Sequence, residues 1–194
     1  ATPSYKAINP NASVPSLVIH HEKSKKEPDP KSFTITQSSA ILDFLEARFP
    51  NPPLLPSAAS FRERSRVTEL VNLVACDIQP PQNSRVRKKI EEMFGGDGKA
   101  WARYVYDRGF GVYEKLLEKT RKERLGEEAK QSALFSVGAS VSLADIYLVP
   151  AAQGALRVGL ALENWPLLKG VVAECWKLEA FRKGGLGGHG NLLP

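Results

Sequence analysis

The fold of this chain is decided by the stretch Ser142-Leu143-Ala144-Asp145-Ile146-Tyr147-Leu148-Val149-Pro150. Ser142 followed three residues later by Asp145 predicts a helix start, in which the Ser142 hydroxyl accepts an N–H of the first turn and the Asp145 carboxylate accepts the Ser142 N–H. The residues that follow are almost continuously apolar, which is typical of a helix buried on most sides. Because the first N–H groups of a buried helix need partners, we interpret Ser142 and Asp145 as a structural cap rather than as a site of chemistry.

Apolar residues at helical spacing continue on both sides of this stretch. Their period predicts helices over Phe61–Ile78, Lys99–Lys119 and Trp165–Leu178, with a further helical segment that ends at Gly95-Gly96-Asp97-Gly98. The residues expected to face the core are Val67, Leu70, Val71, Val74, Ala75, Ile78, Val86, Ile90, Phe94, Trp101, Val105, Phe110, Tyr113, Leu116 and Leu117.

A polar, proline-containing break, Gln79-Pro80-Pro81-Gln82-Asn83, interrupts the first of these helices. Proline removes a backbone donor and frees carbonyl groups of the preceding turn. Those carbonyls and the amide side chains beside them can line a cleft, and the competing interpretation is a mere hinge in a core helix.

The capped helix is predicted to end near Arg157, a cation that arrives after a largely apolar run. A guanidinium beside a core is costly unless it meets an anion or reaches water. Three explanations stay open from the residues alone: Arg157 pairs with a protein carboxylate, extends to solvent along its apolar stem, or binds an anionic ligand.

The first fifty residues have β character instead. Asn9-Pro10-Asn11-Ala12-Ser13 is typical of a turn, and a short strand follows from Val14 to His20. Pro15 belongs at the start of that strand, because proline cannot donate to a ladder, and the Val14–Pro15 bond can be cis. Phe33-Thr34-Ile35-Thr36 predicts a second strand, and the charged segment Glu22–Lys31 between them predicts an exposed hairpin tip.

Gln37-Ser38-Ser39 joins the second strand to a helix that ends before Pro50. Hydroxyl and N–H donors at a helix N-terminus form a favourable binding site for an anion. The alternative interpretation is an ordinary serine N-cap. Ile41, Leu42, Leu45 and Phe49 are expected on the inner face of this helix.

Charge and composition limit the function classes. The 194 residues are 42% hydrophobic and carry a formal net charge of +6. The basic residues are interleaved with Glu and show neither the aromatic pattern of an RNA-binding sheet nor zinc-finger spacing, so we expect no nucleic-acid partner. A modest positive field suits small anionic substrates.

Nothing in the sequence predicts a membrane span, a secretory signal or a transit peptide, so we expect a cytoplasmic protein without membrane partners. Cys76 and Cys175 both fall in helical patterns without nearby Cys or His residues. We therefore expect both to be reduced and buried, and we expect no metal site.

The chain resembles the cytosolic glutathione transferases, and within them the zeta class, the maleylacetoacetate isomerase family. Four sets of residues carry the resemblance. They are Asn9-Pro10 with Val14-Pro15-Ser16-Leu17; Gln37-Ser38-Ser39-Ala40-Ile41 with Leu54-Leu55-Pro56; Asp77-Ile78-Gln79-Pro80-Pro81-Gln82-Asn83; and Val137-Gly138 through Pro150. The third set is the most specific to the class.

The resemblance implies the glutathione transferase fold, in the α+β/α class, with a thioredoxin-like domain followed by an all-helical domain. We expect the first over residues 1–50, a proline-rich linker over residues 51–60 and the helical domain over residues 61–194. It also implies a homodimer that uses glutathione as cofactor.

Particular residues acquire roles from this resemblance. Val14, preceding a cis Pro15, would bond the cysteinyl backbone of glutathione, and Gln37 and Ser38 would hold its γ-glutamyl carboxylate. Arg157 matches the arginine that binds a substrate carboxylate in the family. The residues that would approach the tripeptide or the substrate from the helical domain are Gln79, Asn83, Ser84 and Arg85.

The family activates the glutathione thiol with a Ser-Ser-Cys loop after its first strand, and the printed sequence contains no such triplet. The β-α-β unit that holds the loop needs about 30 residues, whereas only Ala1–Ile8 precede the turn at Asn9. We therefore expect the thioredoxin-like domain to be incomplete at its N-terminus in this chain and assign no catalytic residue.

The function implied is glutathione-dependent cis–trans isomerisation of maleylacetoacetate to fumarylacetoacetate in tyrosine and phenylalanine breakdown. A non-catalytic dimerisation or scaffold module of the same fold is the alternative that the missing loop favours. Gln37, Ser38, Gln79, Asn83 and Arg157 favour the enzyme, because a scaffold needs no polar clamp. A general conjugating transferase lies between the two.

Overall fold

The computed structural model describes residues 2–20, 32–125 and 134–184. The chain divides into two compact units, residues 1–53 and residues 54–194. The expected hairpin tip at Glu22–Lys31 lies outside the described residues, and so does the glycine-rich sequence after Gly184.

The small unit contains helix α1 (Pro3–Ile8), strand β1 (Ser16–Ile19), strand β2 (Phe33–Thr36) and helix α2 (Ser38–Arg48). The two strands are antiparallel, with Ser16 opposite Thr36 and Ile19 opposite Phe33. The Val14–Pro15 peptide bond directly before β1 is cis.

The turn before β1 is organised by Asn9, whose side chain is almost fully buried. Its Nδ2 donates to the Ser13 carbonyl at 2.7 Å, and its Oδ1 accepts the Asn11 N–H at 3.1 Å. A buried amide is stable only when its donors and acceptors are paired in this way. The Asn-Pro turn signal therefore corresponds to a specific hydrogen-bonded loop.

The large unit is helical over its described residues. Its elements are α3 (Phe61–Asn72), a π-helical turn (Leu73–Ile78), α4 (Ser84–Phe94), α5 (Gly98–Leu125), α6 (Leu143–Arg157), α7 (Pro166–Lys177) and α8 (Glu179–Gly184). The predicted helix over residues 61–78 thus keeps its bounds but changes its winding in its last turns.

Helix α6 is the most completely buried element of this unit, as its apolar sequence predicts. Its buried residues are Leu143, Ala144, Asp145, Leu148, Val149, Ala151, Ala152 and Ala155. Phe110 and Tyr113 of α5 and Leu70 of α3 are also fully buried. The capped helix at the centre of the sequence argument is therefore part of the core of the helical unit.

Helix α7 begins with a cap supplied by a distant residue. The Glu114 carboxylate, in the middle of α5, accepts the N–H groups of Leu167 and Leu168 at 2.8 Å each. A carboxylate at a helix N-terminus pairs orphan donors and complements the helix dipole. This buried carboxylate consequently fixes where α7 starts against α5.

Several expected core residues are exposed instead. Phe49 is 63% exposed and Phe94 is 77% exposed, and α4 has no buried residue. The period in α4 was correctly helical, but α5, which packs against α4, leaves Val86 and Phe94 exposed. Trp101 is 37% exposed, and its indole N–H donates to the carbonyl of Pro81 at 2.8 Å.

The prediction for the cysteines was half right. Both are free, and Cys175 is buried, where burial raises the pKa of its thiol. Cys76 is exposed, because it lies on the outer side of the π-helical turn. In the described part of the chain, no helix is both long and apolar enough to cross a bilayer.

Candidate active site

The N-terminus of α6 is held by a closed set of hydrogen bonds. Ser142 and Asp145 form a capping box, in which Asp145 Oδ2 accepts the Ser142 N–H at 2.8 Å. The same oxygen accepts the Ser142 hydroxyl at 2.9 Å, and Asp145 Oδ1 accepts the Ser136 N–H at 2.8 Å. Burial raises the pKa of Asp145, while the hydrogen bonds from Ser136 and Ser142 oppose that change.

Tyr113 extends this set into the core of the unit. Its hydroxyl lies 2.8 Å from Ser136 Oγ and 3.4 Å from the carbonyl of Ala144. Burial raises the pKa of Tyr113 well above its usual value, so the phenol stays neutral. Every polar group in this cluster has a partner, which is the pattern of a folding element.

The Gln79–Asn83 break follows the π-helical turn. The Gln79 N–H donates to the carbonyl of Val74, five residues earlier, at 2.8 Å. A hydrogen bond to the fifth preceding residue is typical of a π-helix. The Gln79 side chain is exposed and has no hydrogen bond within the described residues. Short π-helical segments are frequent at functional sites. The break is therefore a candidate edge of a site as well as a bend.

Asn83 ends the break and caps α4. Its Oδ1 accepts the Arg85 N–H at 3.0 Å, so one end of this amide serves the helix start. Ser84 is the first residue of α4, and Ser84 and Arg85 are both exposed.

A cavity of about 610 Å³ lies within the helical unit, between α4 and the end of α6. Its lining residues are Ser84, Arg87, Lys88, Glu91, Lys99, Arg157 and Val158. Two of the predicted site residues, Ser84 and Arg157, are thus brought together although they lie far apart in sequence.

Arg157 is the last residue of α6 and is exposed in this cavity. No carboxylate of the described chain forms an ion pair with it. Pairing with a protein acid is therefore excluded within the described residues. Two of the three explanations remain, solvation of the guanidinium and binding of an anionic ligand. In both of them Arg157 can bind the carboxylate of a ligand.

Arg87 also lines the cavity, and sequence reasoning did not identify it. Its side chain is half-buried, and its Nε is buried without a hydrogen-bond partner in the described part of the chain. The available signal was spacing, since Ser84, Arg87, Lys88 and Glu91 recur at the three- and four-residue intervals of one helix face. A buried guanidinium nitrogen without a partner is costly and calls for an explanation.

Tyr106 of α5 lies within electrostatic range of both arginines. Burial raises the pKa of its phenol to about 12, and the positive charges of Arg87 and Arg157 oppose this rise. Its hydroxyl packs against Gly154, where a side chain would overlap it. The charges of both guanidinium groups therefore affect the pKa of one buried phenol beside the last turn of α6.

The small unit holds the remaining predicted residues. Val14 is 83% exposed, and its main chain makes no hydrogen bond within the described residues. Gln37 is the N-cap residue of α2, and its φ of 77° lies in the left-handed region. That backbone conformation is strained for residues other than glycine. Ser38 is the first residue of α2 and is exposed.

The described residues contain no group of three or more His, Cys, Asp or Glu side chains suited to a metal ion. The predicted site residues Gln37, Ser38, Gln79, Ser84 and Arg157 offer hydrogen-bond donors and a cation. Such groups bind carboxylates and peptide backbones rather than cations.

Comparison with known proteins identifies the family. No protein-family model matches the chain. The maleylacetoacetate isomerase of Emericella nidulans is 38% identical over 181 residues, which make up 92% of this chain and 71% of that protein.

Two solved structures agree. A maleylpyruvate isomerase described as a bacterial glutathione S-transferase of the zeta class has a TM-score of 0.76 and 34% identity, and the match covers 94% of this chain and 77% of that one. The maleylacetoacetate isomerase of Anaeromyxobacter dehalogenans, with dicarboxyethyl glutathione and citrate in its active site, has a TM-score of 0.74 and 34% identity over 88% of this chain and 68% of that one. These matches confirm the predicted fold, and the chain belongs to the zeta-class glutathione transferases, the maleylacetoacetate isomerase family.

Proposed function

We propose that this protein is a glutathione-dependent isomerase that converts maleylacetoacetate to fumarylacetoacetate. The observation that carries the proposal is Arg157, a cation without an ion-pair partner in the described chain, in a cavity of a protein of this family. An arginine can bind a carboxylate through two parallel hydrogen bonds, which fixes the orientation of an acidic substrate.

Glutathione, when bound, supplies a thiolate whose reversible addition to the conjugated cis double bond permits rotation about that bond. The residues of this chain have three tasks: to hold the tripeptide, to hold the substrate carboxylates and to favour negative charge on the reacting oxygen. The excess of cations in the cavity suits the last two, because preorganised positive groups stabilise developing negative charge.

The small unit offers a fit for glutathione. The main chain of Val14, before a cis proline, makes no hydrogen bond within the described residues, so it can pair with the backbone of an extended peptide. Gln37 and Ser38 lie at the N-terminus of α2, where N–H groups and the helix dipole favour a carboxylate. The strained φ of Gln37 supports a functional role, since such strain persists where the surroundings enforce it.

The helical unit supplies a second set of groups. We assign Gln79, Asn83, Ser84 and Arg85 to the approach of the tripeptide or the substrate, as the resemblance implies. The side-chain amide of Gln79, which makes no hydrogen bond within the described residues, supports this assignment. Asn83 uses its carbonyl to cap α4, so only its NH₂ group remains to donate to a ligand.

We extend the proposal to the setting of the enzyme. A homodimer in the cytoplasm, acting in tyrosine and phenylalanine breakdown, is what the family resemblance supports. We also assign the thioredoxin-like and helical domains to residues 1–50 and 61–194, joined by the proline-rich segment 51–60. Light scattering of the purified protein tests the dimer through its mass.

The test of the activity is an isomerase assay with maleylacetoacetate, run with and without glutathione. Fumarylacetoacetate should form only when glutathione is present. Calorimetry with glutathione on the same sample measures the cofactor site separately. Glutathione binding without isomerisation would contradict the proposal and favour a scaffold module or a general conjugating transferase, which an aromatic electrophile then distinguishes.

A parallel assay with maleylpyruvate defines the substrate. One related structure is a maleylpyruvate isomerase. Both substrates carry two acid groups, one of which is attached to the cis double bond. A higher kcat/KM for maleylpyruvate would change the named substrate and leave the reaction class intact.

A further inference from the structure

The cavity at the end of α6 carries more positive charge than one carboxylate can neutralise. Four cationic side chains line it, Arg87, Lys88, Lys99 and Arg157, and Glu91 is the one carboxylate among the lining residues. Lys88 Nζ lies 3.6 Å from Glu92 Oε1, and most of the Lys88 side chain is exposed to solvent. The charge that remains is centred on Arg87, Lys99 and Arg157.

Glu91 does not neutralise Arg87, although the two residues lie one turn apart on α4. No ion pair joins them in the described chain. The Glu91 carboxylate lies instead against Gly98 at the start of α5, where a Cβ atom would come within 2.6 Å of its Oε1. The same position would come within 2.9 Å of the Arg87 Cβ, so the close approach of α5 to α4 fixes the stem of Arg87.

The Nε of Arg87 is the second observation. It is buried and has no hydrogen-bond partner among the described residues, while the side chain as a whole borders the cavity. Because Nε has almost no exposed surface, an anion in the cavity would meet the terminal nitrogens of the Arg87 guanidinium instead. Those nitrogens form no ion pair within the described residues, and a carboxylate can accept from two guanidinium nitrogens together.

From this arrangement we infer that Arg87 and Arg157 form a two-arginine site for dicarboxylates, in which Arg87 binds the acid group that Arg157 does not. The inference rests on the proposed function for the role of Arg157 and deepens it, because it makes Arg87 the residue that selects substrates with two acid groups. The phenol of Tyr106 lies in the field of both guanidinium groups, and its hydroxyl packs against Gly154.

The experiment is calorimetry with malonate as a dicarboxylate probe and acetate as a monocarboxylate probe, at neutral pH and low ionic strength. Arg87→Gln should weaken malonate binding about tenfold or more, since a bidentate charge-assisted pair is lost. Acetate binding should change less than about twofold, because Arg157 still holds one carboxylate. Arg87→Lys should lie between, since lysine keeps the charge but lacks the planar fork.

Lys89→Gln is the matched control. Lys89 lies on the same helix, pairs with Glu92 at 2.6 Å and is not among the cavity residues, so its loss changes the net charge equally. Equal weakening of malonate by Arg87→Gln and Lys89→Gln would overturn the inference in favour of a general field effect. Unchanged malonate binding in Arg87→Gln would overturn it too, provided thermal unfolding shows a folded variant.

The inference and the proposed function fail separately. Malonate binding that depends on Arg87, in a protein that does not isomerise maleylacetoacetate, would support the site and contradict the activity. Isomerisation with malonate binding that is independent of Arg87 would support the activity and contradict the site. In the active protein, Arg87→Gln should also raise KM for the substrate while the KM for glutathione stays the same.

Discussion

The two ends of α6 differ in how their polar groups are satisfied. At the N-terminus, Asp145 accepts from Ser136 and twice from Ser142, and the cluster is closed. At the C-terminus, Arg157 has no ion-pair partner in the described chain, and the neighbouring Arg87 has a buried Nε without a hydrogen bond. Completed polar clusters stabilise a fold, whereas incomplete ones are where a ligand gains most by binding.

This comparison predicts that substitutions at the first end change stability and those at the second change binding. The largest effect is expected for Asp145→Ala. It leaves the N–H groups of Ser136 and Ser142 buried without partners, so the free energy of unfolding should fall by about 3 kcal/mol. Urea denaturation followed by circular dichroism measures this change.

Ser142→Ala is the control for that prediction, because it removes the hydroxyl and leaves the carboxylate in place. It should cost about 1 kcal/mol. A similar loss for both variants would mean that the carboxylate does not organise the cluster, and the description of this end as a carboxylate-centred cap would be wrong.

Arg157→Ala tests the opposite end. KM for the dicarboxylate substrate should rise roughly tenfold or more, because a charge-assisted pair is lost. The glutathione affinity and the midpoint of thermal unfolding should stay nearly the same, since Arg157 is exposed and supports no ion pair of the described chain. Steady-state kinetics with each substrate varied in turn makes the measurement, and an equal loss of affinity for both substrates contradicts this role.

A smaller effect is expected for Tyr113→Phe at the satisfied end. The substitution removes the hydroxyl that lies 2.8 Å from Ser136 Oγ and retains the buried ring. Stability should fall by about 1 kcal/mol, the usual net value of one hydrogen bond. Kinetic constants should not change. A rise in KM without loss of stability would contradict the assignment of stability to the N-terminal end of α6 and of binding to its C-terminal end.

The last prediction concerns the pH dependence of stability at the open end. Because burial raises the pKa of Tyr106 from 10.0 to about 12, the neutral phenol favours the folded state. This contribution is complete below pH 10 and is lost as the pH rises from 10 to 12, where the unfolded chain ionises first. Tyr106→Phe cannot ionise at this position, so its stability should fall less steeply over that interval.

Urea denaturation of both proteins at several pH values between 8 and 11.5 measures the two slopes. The other ionising groups are common to both, so they cancel in the comparison. Equal slopes would mean that Tyr106 ionises in the folded protein as easily as in the unfolded chain.

Much of the fold followed from local signals. The cap at Ser142 and Asp145 spans three residues, and the break at Gln79–Asn83 is encoded by two prolines, so short-range chemistry was sufficient for both. The exposure of Val86 and Phe94 was not foreseen. A helical period identifies an apolar face, but the neighbouring elements decide whether that face is covered.

The candidate site divides in the same way. Arg157 was found because a cation at the end of an apolar helix is conspicuous in any sequence. Arg87 was missed because basic residues surround it on α4, and only the approach of α5 at Gly98 distinguishes it from Lys88 and Lys89. Burial of one nitrogen atom is a property of packing that residue spacing cannot express.

The sequence by itself determined the cap of α6, the break at Gln79–Asn83, the turn at Asn9–Ser13 and the family, because each of these depends on motifs of residues close together in the chain. Only the tertiary structure decided that Glu114 caps α7 from the middle of α5, and that Arg87 and Arg157 border one cavity. The physical reason is range: caps and turns are satisfied within a few residues, whereas a charge acquires its partner from whichever element packs beside it.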